Sequence, residues 1–159
     1  MTGYFDAAPR AITPEDAEPV HALVLGVLGV TPYVDRTIDL VAAAARGDVE
    51  VRALLIARDG TVAALALFGP VAGANGAWQL HMLLTAAGIA AKDVGGSLID
   101  AALAEVRANG GRFLLAELPA DPVIGSSLTL LRSRKFKQVG RIPDFYREGV
   151  ALLFLRRDV

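Results

Sequence analysis

There is no cysteine in this chain. That excludes disulfides, thiolate metal sites and a cysteine nucleophile, and it fits a reducing setting, so a cytoplasmic location is expected. Charge of one sign is missing as well. Lys+Arg 16 against Asp+Glu 17 leaves a formal net charge of -1, which removes the broad basic face that nucleic acid requires. With 2 His and no Cys, the sequence offers no metal-ligand set. It contains neither a Gly-x-Ser-x-Gly elbow nor a Gly-Lys-Ser/Thr phosphate loop. Residues 1–8 carry Asp6 and lack the positive-then-apolar pattern of a signal peptide.

One further absence is local. Residues 60–91 contain no Asp, Glu, Lys or Arg. Such a window is long enough for a membrane-spanning helix. Gly69, Pro70, Gly73, Asn75 and Gly76 break it in the middle, and Gln79 and His81 add polarity to its second half. Two buried strands joined by a turn are the expectation, with no membrane span.

What is present is apolar. Hydrophobic residues make up 53% of the chain and charged residues 21%, so disorder is excluded. A length of 159 residues predicts one domain with a single core. The very apolar strands make a homodimer an expectation.

The pattern along the chain predicts alternating elements. Residues 10–12 read as a short strand. Thr13, Pro14, Glu15 and Asp16 read as a helix start, with Thr13 as N-cap, and the helix runs to about Leu28 before Gly29. Thr31 and Pro32 repeat that signal, and Ile38, Val41, Ala42 and Ala45 form a second helical stripe. Strands are predicted over 51–58 and 61–68, joined by the hairpin signal Asp59-Gly60. A third strand is predicted over 77–85, a helix over 94–108, and a doubly covered strand over 113–118. A helix over 123–134 and strands over 136–142 and 150–156, around a turn at 143–149, complete the order. The sum is one α/β domain with a mixed central sheet of six to seven strands flanked by about four helices.

That order, with four local stretches, resembles the GNAT (GCN5-related N-acetyltransferase) superfamily over nearly the whole chain. The first stretch lies where the third strand feeds the long helix. The family pattern there is Val-x-Pro-x-x-Arg/Gln-x-x-Gly-x-Gly/Ala with paired leucines after it. Here Thr85 stands for Val, Ala87 for Pro, Ala90 for Arg/Gln and Asp93 for the first Gly, while Gly95, Gly96, Leu98 and Ile99 fit. The second stretch, 112–118, is similar to the family's fifth strand. The third, 130–136, stands where the family usually has Phe-Tyr-x-x-x-Gly-Phe. The fourth is Asp144-Phe145-Tyr146 before the last strand.

The resemblance implies acetyl-CoA as cosubstrate and an amine of a small molecule or peptide as acceptor. It implies cofactor contacts from Leu83, Leu84 and Thr85 on the strand. Further contacts come from Ala90, Ala91, Lys92, Asp93, Val94, Gly95, Gly96 and Ser97 on the loop and helix start. The physical basis is the set of unpaired N–H groups in a helix's first turn and the favourable dipole there. Asp93 opposes that arrangement. Two like charges about 5 Å apart cost roughly 3 kcal/mol at an effective dielectric near 20. Its carboxylate would also cap the helix itself. Weak or absent CoA binding is therefore the expectation.

For the chemistry, Glu117 is the only acid in an apolar strand and a candidate general base, or else a strand-end acid meeting water or an Arg. His81 is a second candidate base, or a hydrogen-bonded half-buried imidazole. Strict alternation puts Gln79, His81, Leu83 and Thr85 on one face of the strand and Trp78, Leu80, Met82 and Leu84 on the other. Leu131 occupies the position where the resemblance implies a Tyr acid, so Tyr146 is the candidate substitute, or an aromatic packed under a turn. Tyr33 and Asp35 fall where the family shapes its acceptor pocket and are equally readable as turn residues. His21 sits beside an apolar stripe and reads as structural. Arg132, Arg134, Lys135 and Lys137 form a basic cluster that would meet a CoA phosphate or compensate a helix dipole. Two functions remain: an N-acetyltransferase, or a degenerate relative that binds a ligand or partner without transferring acetyl.

Overall fold

The hairpin signal Asp59-Gly60 does what its residue types dictate. Asp59 has φ 51 and Gly60 φ 76, the left-handed pair of a tight hairpin turn. It joins β2 (Arg52–Arg58) to β3 (Thr61–Pro70) in antiparallel register. In this computed structural model, residues 8–89 and 91–159 are described, without the side chains of Ala91 and Asp93.

The remaining elements are β1 (Arg10–Ala11), α1 (Ala17–Leu28), α2 (Val34–Ala45), β4 (Ala77–Thr85), α3 (Ala91–Ala108), β5 (Phe113–Pro119), α4 (Gly125–Ser133), β6 (Lys137–Arg147) and β7 (Val150–Asp158). Short 3-10 turns precede α1 and α4. The seven strands form one sheet in the order β1-β2-β3-β4-β5-β7-β6. Among the described residues only β4 and β5 run parallel. A parallel pair needs a crossover, and α3 supplies it.

Residues 62–69 of β3 are all buried. A strand buried on both faces needs a layer on each, and α1 and α3 both lie on β3. The charge-free window is thereby β3, β4 and the loop between them. Among the described residues no helix is long and apolar enough to cross a membrane.

Two departures from the sequence expectation shape the site. The predicted turn at 143–149 is mostly strand. β6 runs on to Arg147, and only Glu148 and Gly149 turn. Its register jumps from Ile142↔Leu152 to Arg147↔Val150, so 143–146 bulge away opposite a single residue. Asp144 takes φ 50 there, and its carboxylate accepts the Gly149 N–H at 2.7 Å. Local bonding of this kind is what Asp offers a bulge.

The second departure is in β4, where alternation fails at His81. Leu80 pairs with Phe68 and Met82 with Leu67, so His81 is an extra residue with no partner on β3. A bulge re-aims side chains. From that point His81 and Met82 both face one cavity, where strict alternation would separate them.

Candidate functional site

β4 and β5 pair only from Ala77↔Phe113 to Leu80↔Ala116. Beyond that they part. β4 stays with β3 as far as Thr85↔Ala64, and β5 stays with β7 as far as Pro119↔Leu152. A V-shaped split opens in mid-sheet, and it exposes strand-edge N–H and C=O groups that need other partners.

A cavity of about 320 Å³ lies at this split. Its walls come from four elements. β4 gives Gln79, His81 and Met82, and β5 gives Glu117 and Pro119. The start of α2 gives Tyr33, Arg36, Thr37 and Leu40, which share one helical face by their spacing. The β6 bulge gives Phe145 and Tyr146. Four separately predicted site residues, Tyr33, His81, Glu117 and Tyr146, thus meet in one place. Asp35 does not join them: it is on the exposed side of α2, because the helical period turns it away from Tyr33.

The back wall is a closed polar network. The Tyr33 hydroxyl donates to Asp121 Oδ2 at 3.0 Å and accepts from Arg147 Nη1 at 3.0 Å. Arg147 Nη2 binds the same carboxylate at 2.6 Å, and the Val123 N–H reaches Oδ1 at 3.1 Å. Burial pushes the Asp121 carboxyl up, but the Val123 N–H, Arg147 and Tyr33 together hold it below its ordinary range. Tyr33 packs edge-on to Tyr146 with ring centroids 5.5 Å apart. Asp121 and Arg147 escaped the sequence reading. The signals available were an acid directly before Pro122 and an Arg next to Tyr146.

Inside the cavity the groups are less settled. His81 Nδ1 is buried with no hydrogen-bond partner among the described residues. Desolvation, with Arg36 adding to it, lowers the imidazole to about 4, so His81 is neutral at physiological pH. It is a poor base there, against the sequence expectation. Desolvation and then the charge of Glu117 push the Tyr146 hydroxyl up, so Tyr146 keeps its proton. Glu117 is half-buried. Arg36, which the sequence reading passed over, stands one helical turn beyond Tyr33.

On the other side of the split, α3 begins at Ala91. Asp93 is therefore its third residue, not the N-cap; Ala90 and the Asp93 side chain lie outside the described residues. Lys92 and Ser97 are exposed, whereas Val94, Gly95 and Gly96 are buried. The two glycines serve packing. A Cβ on Gly95 would collide with Leu130 Cδ2 of α4, and one on Gly96 with Nη2 of Arg134, the residue that follows α4. Arg134 in turn binds Asp100 of α3 at 3.1 Å. On β4, Leu83 and Leu84 are buried and Thr85 is half-buried. The Ser127 hydroxyl, buried on α4, donates to the Leu83 carbonyl, so one strand-edge acceptor in the split is already used. Leu131 is fully buried in the core, which leaves no acid at that position.

No protein-family model matches the chain, and no curated sequence is significantly similar to it. Solved structures do match. A GNAT-family protein from Desulfovibrio desulfuricans superposes with TM-score 0.85 at 23% identity, over 96% of this chain and 98% of that one. This chain has the GNAT fold. A ribosomal-protein-alanine N-acetyltransferase from Brucella melitensis matches with TM-score 0.75 at 19% identity, covering 95% of this chain and 99% of its own. The Salmonella typhimurium protein yncA, solved with its cofactor acetyl-CoA, matches with TM-score 0.74 at 16% identity, over 95% and 92% of the two chains. The expected α/β class with a mixed sheet is thus observed as the seven-stranded, four-helix GNAT architecture.

Proposed function

We propose that this GNAT-fold chain is an N-acetyltransferase that moves an acetyl group from acetyl-CoA to the amine of a small molecule. One observation carries the reading. The residues just beyond the split on both strands, His81 and Met82 of β4 and Glu117 and Pro119 of β5, also line the cavity. A donor lying in the split would therefore present its acyl end to an acceptor in the cavity.

The split itself fits an extended amide-bearing donor, because it offers unpaired strand-edge groups of both kinds. Residues 83–85 of β4 would face the pantetheine arm, with the first turn of α3 and Lys92 toward the phosphates. When bound, acetyl-CoA supplies an activated acetyl thioester. The chain supplies the rest. Glu117 holds the acceptor ammonium and takes its proton, which frees the nitrogen lone pair. An N–H of β4 beyond Leu80 is available to the developing negative charge on the acyl oxygen. The Tyr146 hydroxyl retains its proton and is the donor for the departing sulfur. The Tyr33–Asp121–Arg147 network fixes the ring of Tyr33 against Tyr146 and thereby holds the acid in place.

The α3–α4 side favours a second reading, a ligand-binding module without transfer. There Leu130 and Arg134 fill the space over Gly95 and Gly96, and Ser127 occupies the Leu83 carbonyl.

Thiol release from acetyl-CoA with a panel of amines separates the two. Under the first reading turnover is observed, and Glu117→Gln lowers kcat by about 10²–10⁴-fold, the usual worth of a general base. Absence of turnover, together with no rise in melting temperature on adding acetyl-CoA, would establish the second.

A further inference from the structure

The cavity holds two charges that are without partners among the described residues. Arg36 stands on the α2 wall and Glu117 on the β5 wall. Among the described residues neither makes an ion pair or a side-chain hydrogen bond, with each other or with any third group. The neighbouring charges behave differently: Asp121 and Arg147, behind Tyr33, neutralise one another at 2.6 Å. The other titratable groups on the walls are neutral, since His81 is lowered to about 4 and both tyrosines are raised. The cavity therefore presents one cation and one anion, on different walls.

Between them the surface is apolar and aromatic, formed by Leu40, Met82, Pro119, Phe145 and Tyr146. At about 320 Å³ the space lies at the small end of ligand pockets. A polycation would be repelled by Arg36, and a simple amine would leave Arg36 uncompensated. A dianion would be repelled by Glu117. Arg36 is exposed at the cavity rim and Glu117 is half-buried, and two opposite charges lining one cavity are best complemented by a ligand that carries the opposite charge at each end.

We propose that the acceptor is a small zwitterion of the amino-acid type, its ammonium held by Glu117, its carboxylate by Arg36, and its compact apolar or aromatic body lying between them. This deepens the acetyl-transfer reading and rests on it for the fate of the amine. It places the nitrogen beside the group that removes its proton, and it makes Arg36 a specificity residue through bidentate carboxylate binding.

Calorimetric titration of the full chain, with and without saturating coenzyme A, tests the proposal. The probes are L-phenylalanine, L-phenylalaninamide (no carboxylate) and 3-phenylpropionate (no amine). The amino acid is expected to bind at least ~10-fold more tightly than either half, the worth of one charge-assisted contact. Arg36→Gln should abolish the advantage over the amide, and Glu117→Gln the advantage over the acid. Melting curves of both variants verify that they fold. Equal binding of the amide or the acid would overturn the proposal, as would failure of L-phenylalanine, L-leucine and L-tyrosine to bind at all. Thiol release on the same compounds keeps the two readings apart. Amino acids that bind but are never acetylated would remove the transfer reading alone. Acetylation of plain amines and amino acids at equal rates would remove the zwitterion alone.

Discussion

The two sides of the split in the sheet use their polar and small residues in opposite ways. On the α3–α4 side nearly everything is consumed by the fold. Gly95 and Gly96 give their missing side chains to Leu130 and Arg134, Arg134 binds Asp100, and Ser127 satisfies Leu83. On the α2–β6 side groups are left over among the described residues: Arg36 and Glu117 without ion pairs, and His81 Nδ1 without a hydrogen bond. A buried polar group without a partner costs stability, so the His81 nitrogen is a cost carried on the α2–β6 side. The contrast also separates two uses of glycine. A glycine near a phosphate-binding motif need not be there for phosphate, since close helix packing demands the same residue.

The largest effect should come from filling the consumed side. Gly95→Val is expected to destabilise by about 2–3 kcal/mol, as overpacking does. Urea unfolding measures it, and adding Leu130→Ala should recover part of the loss, because the two changes share one space. Simple additivity would show that α3 and α4 do not meet there.

Next is the pH response of the acceptor side. His81 is lowered from 6.5 to about 4 in the fold. Above the unfolded value both states carry a neutral imidazole, and nothing is lost. As pH falls from 6.5 toward 4 only the unfolded state takes the proton, so stability drops, and below 4 the loss is complete. The drop attributable to His81 should be on the order of 3 kcal/mol. It is read as the difference between wild type and His81→Gln in urea midpoints across that window. Parallel profiles would mean that the imidazole has a partner after all.

Arg147→Ala should lower stability modestly, because it removes the 2.6 Å donor of the buried Asp121 carboxylate while Arg147 itself is 49% exposed. A loss in acceptor affinity with acetyl-CoA affinity retained would place the network on the acceptor side. Loss of both equally would contradict that division.

The smallest effect is a gain. Lys135 takes φ 68 at the position where the family pattern has Gly. Lys135→Gly should stabilise by about 0.5–1 kcal/mol, the strain of a left-handed side-chain residue less the entropy of glycine. Denaturant unfolding reads it, and a destabilised variant would mean that the Lys135 side chain makes a compensating contact.

Elements and their order were legible in the sequence because local chemistry sets them. Asp59-Gly60 turns a hairpin, Gly29 stops a helix, and the charge-free stretch 60–91 has the apolar character of strands that must be covered on both faces. Tyr33, His81, Glu117 and Tyr146 could be picked as candidates because a polar group in an apolar element is visible on its own. What local chemistry could not show is where an extra residue goes. The bulge at His81 broke the alternation, and the long bulge at 143–146 turned a predicted loop into the pocket's far wall. Both depend on register against a partner strand distant in sequence.

The sequence by itself determined the α/β class, most element boundaries to within a few residues, and a short set of candidate side chains, since periodicity and turn chemistry act over a few neighbours. The tertiary structure alone decided which of those candidates share a cavity. It decided that Asp35 turns away, that Asp121 and Arg147 neutralise each other, and that Arg36 and Glu117 line one cavity without an ion pair among the described residues. Those outcomes follow from where β4 and β5 cease to pair, and pairing across the sheet is a property of strands brought together by the fold.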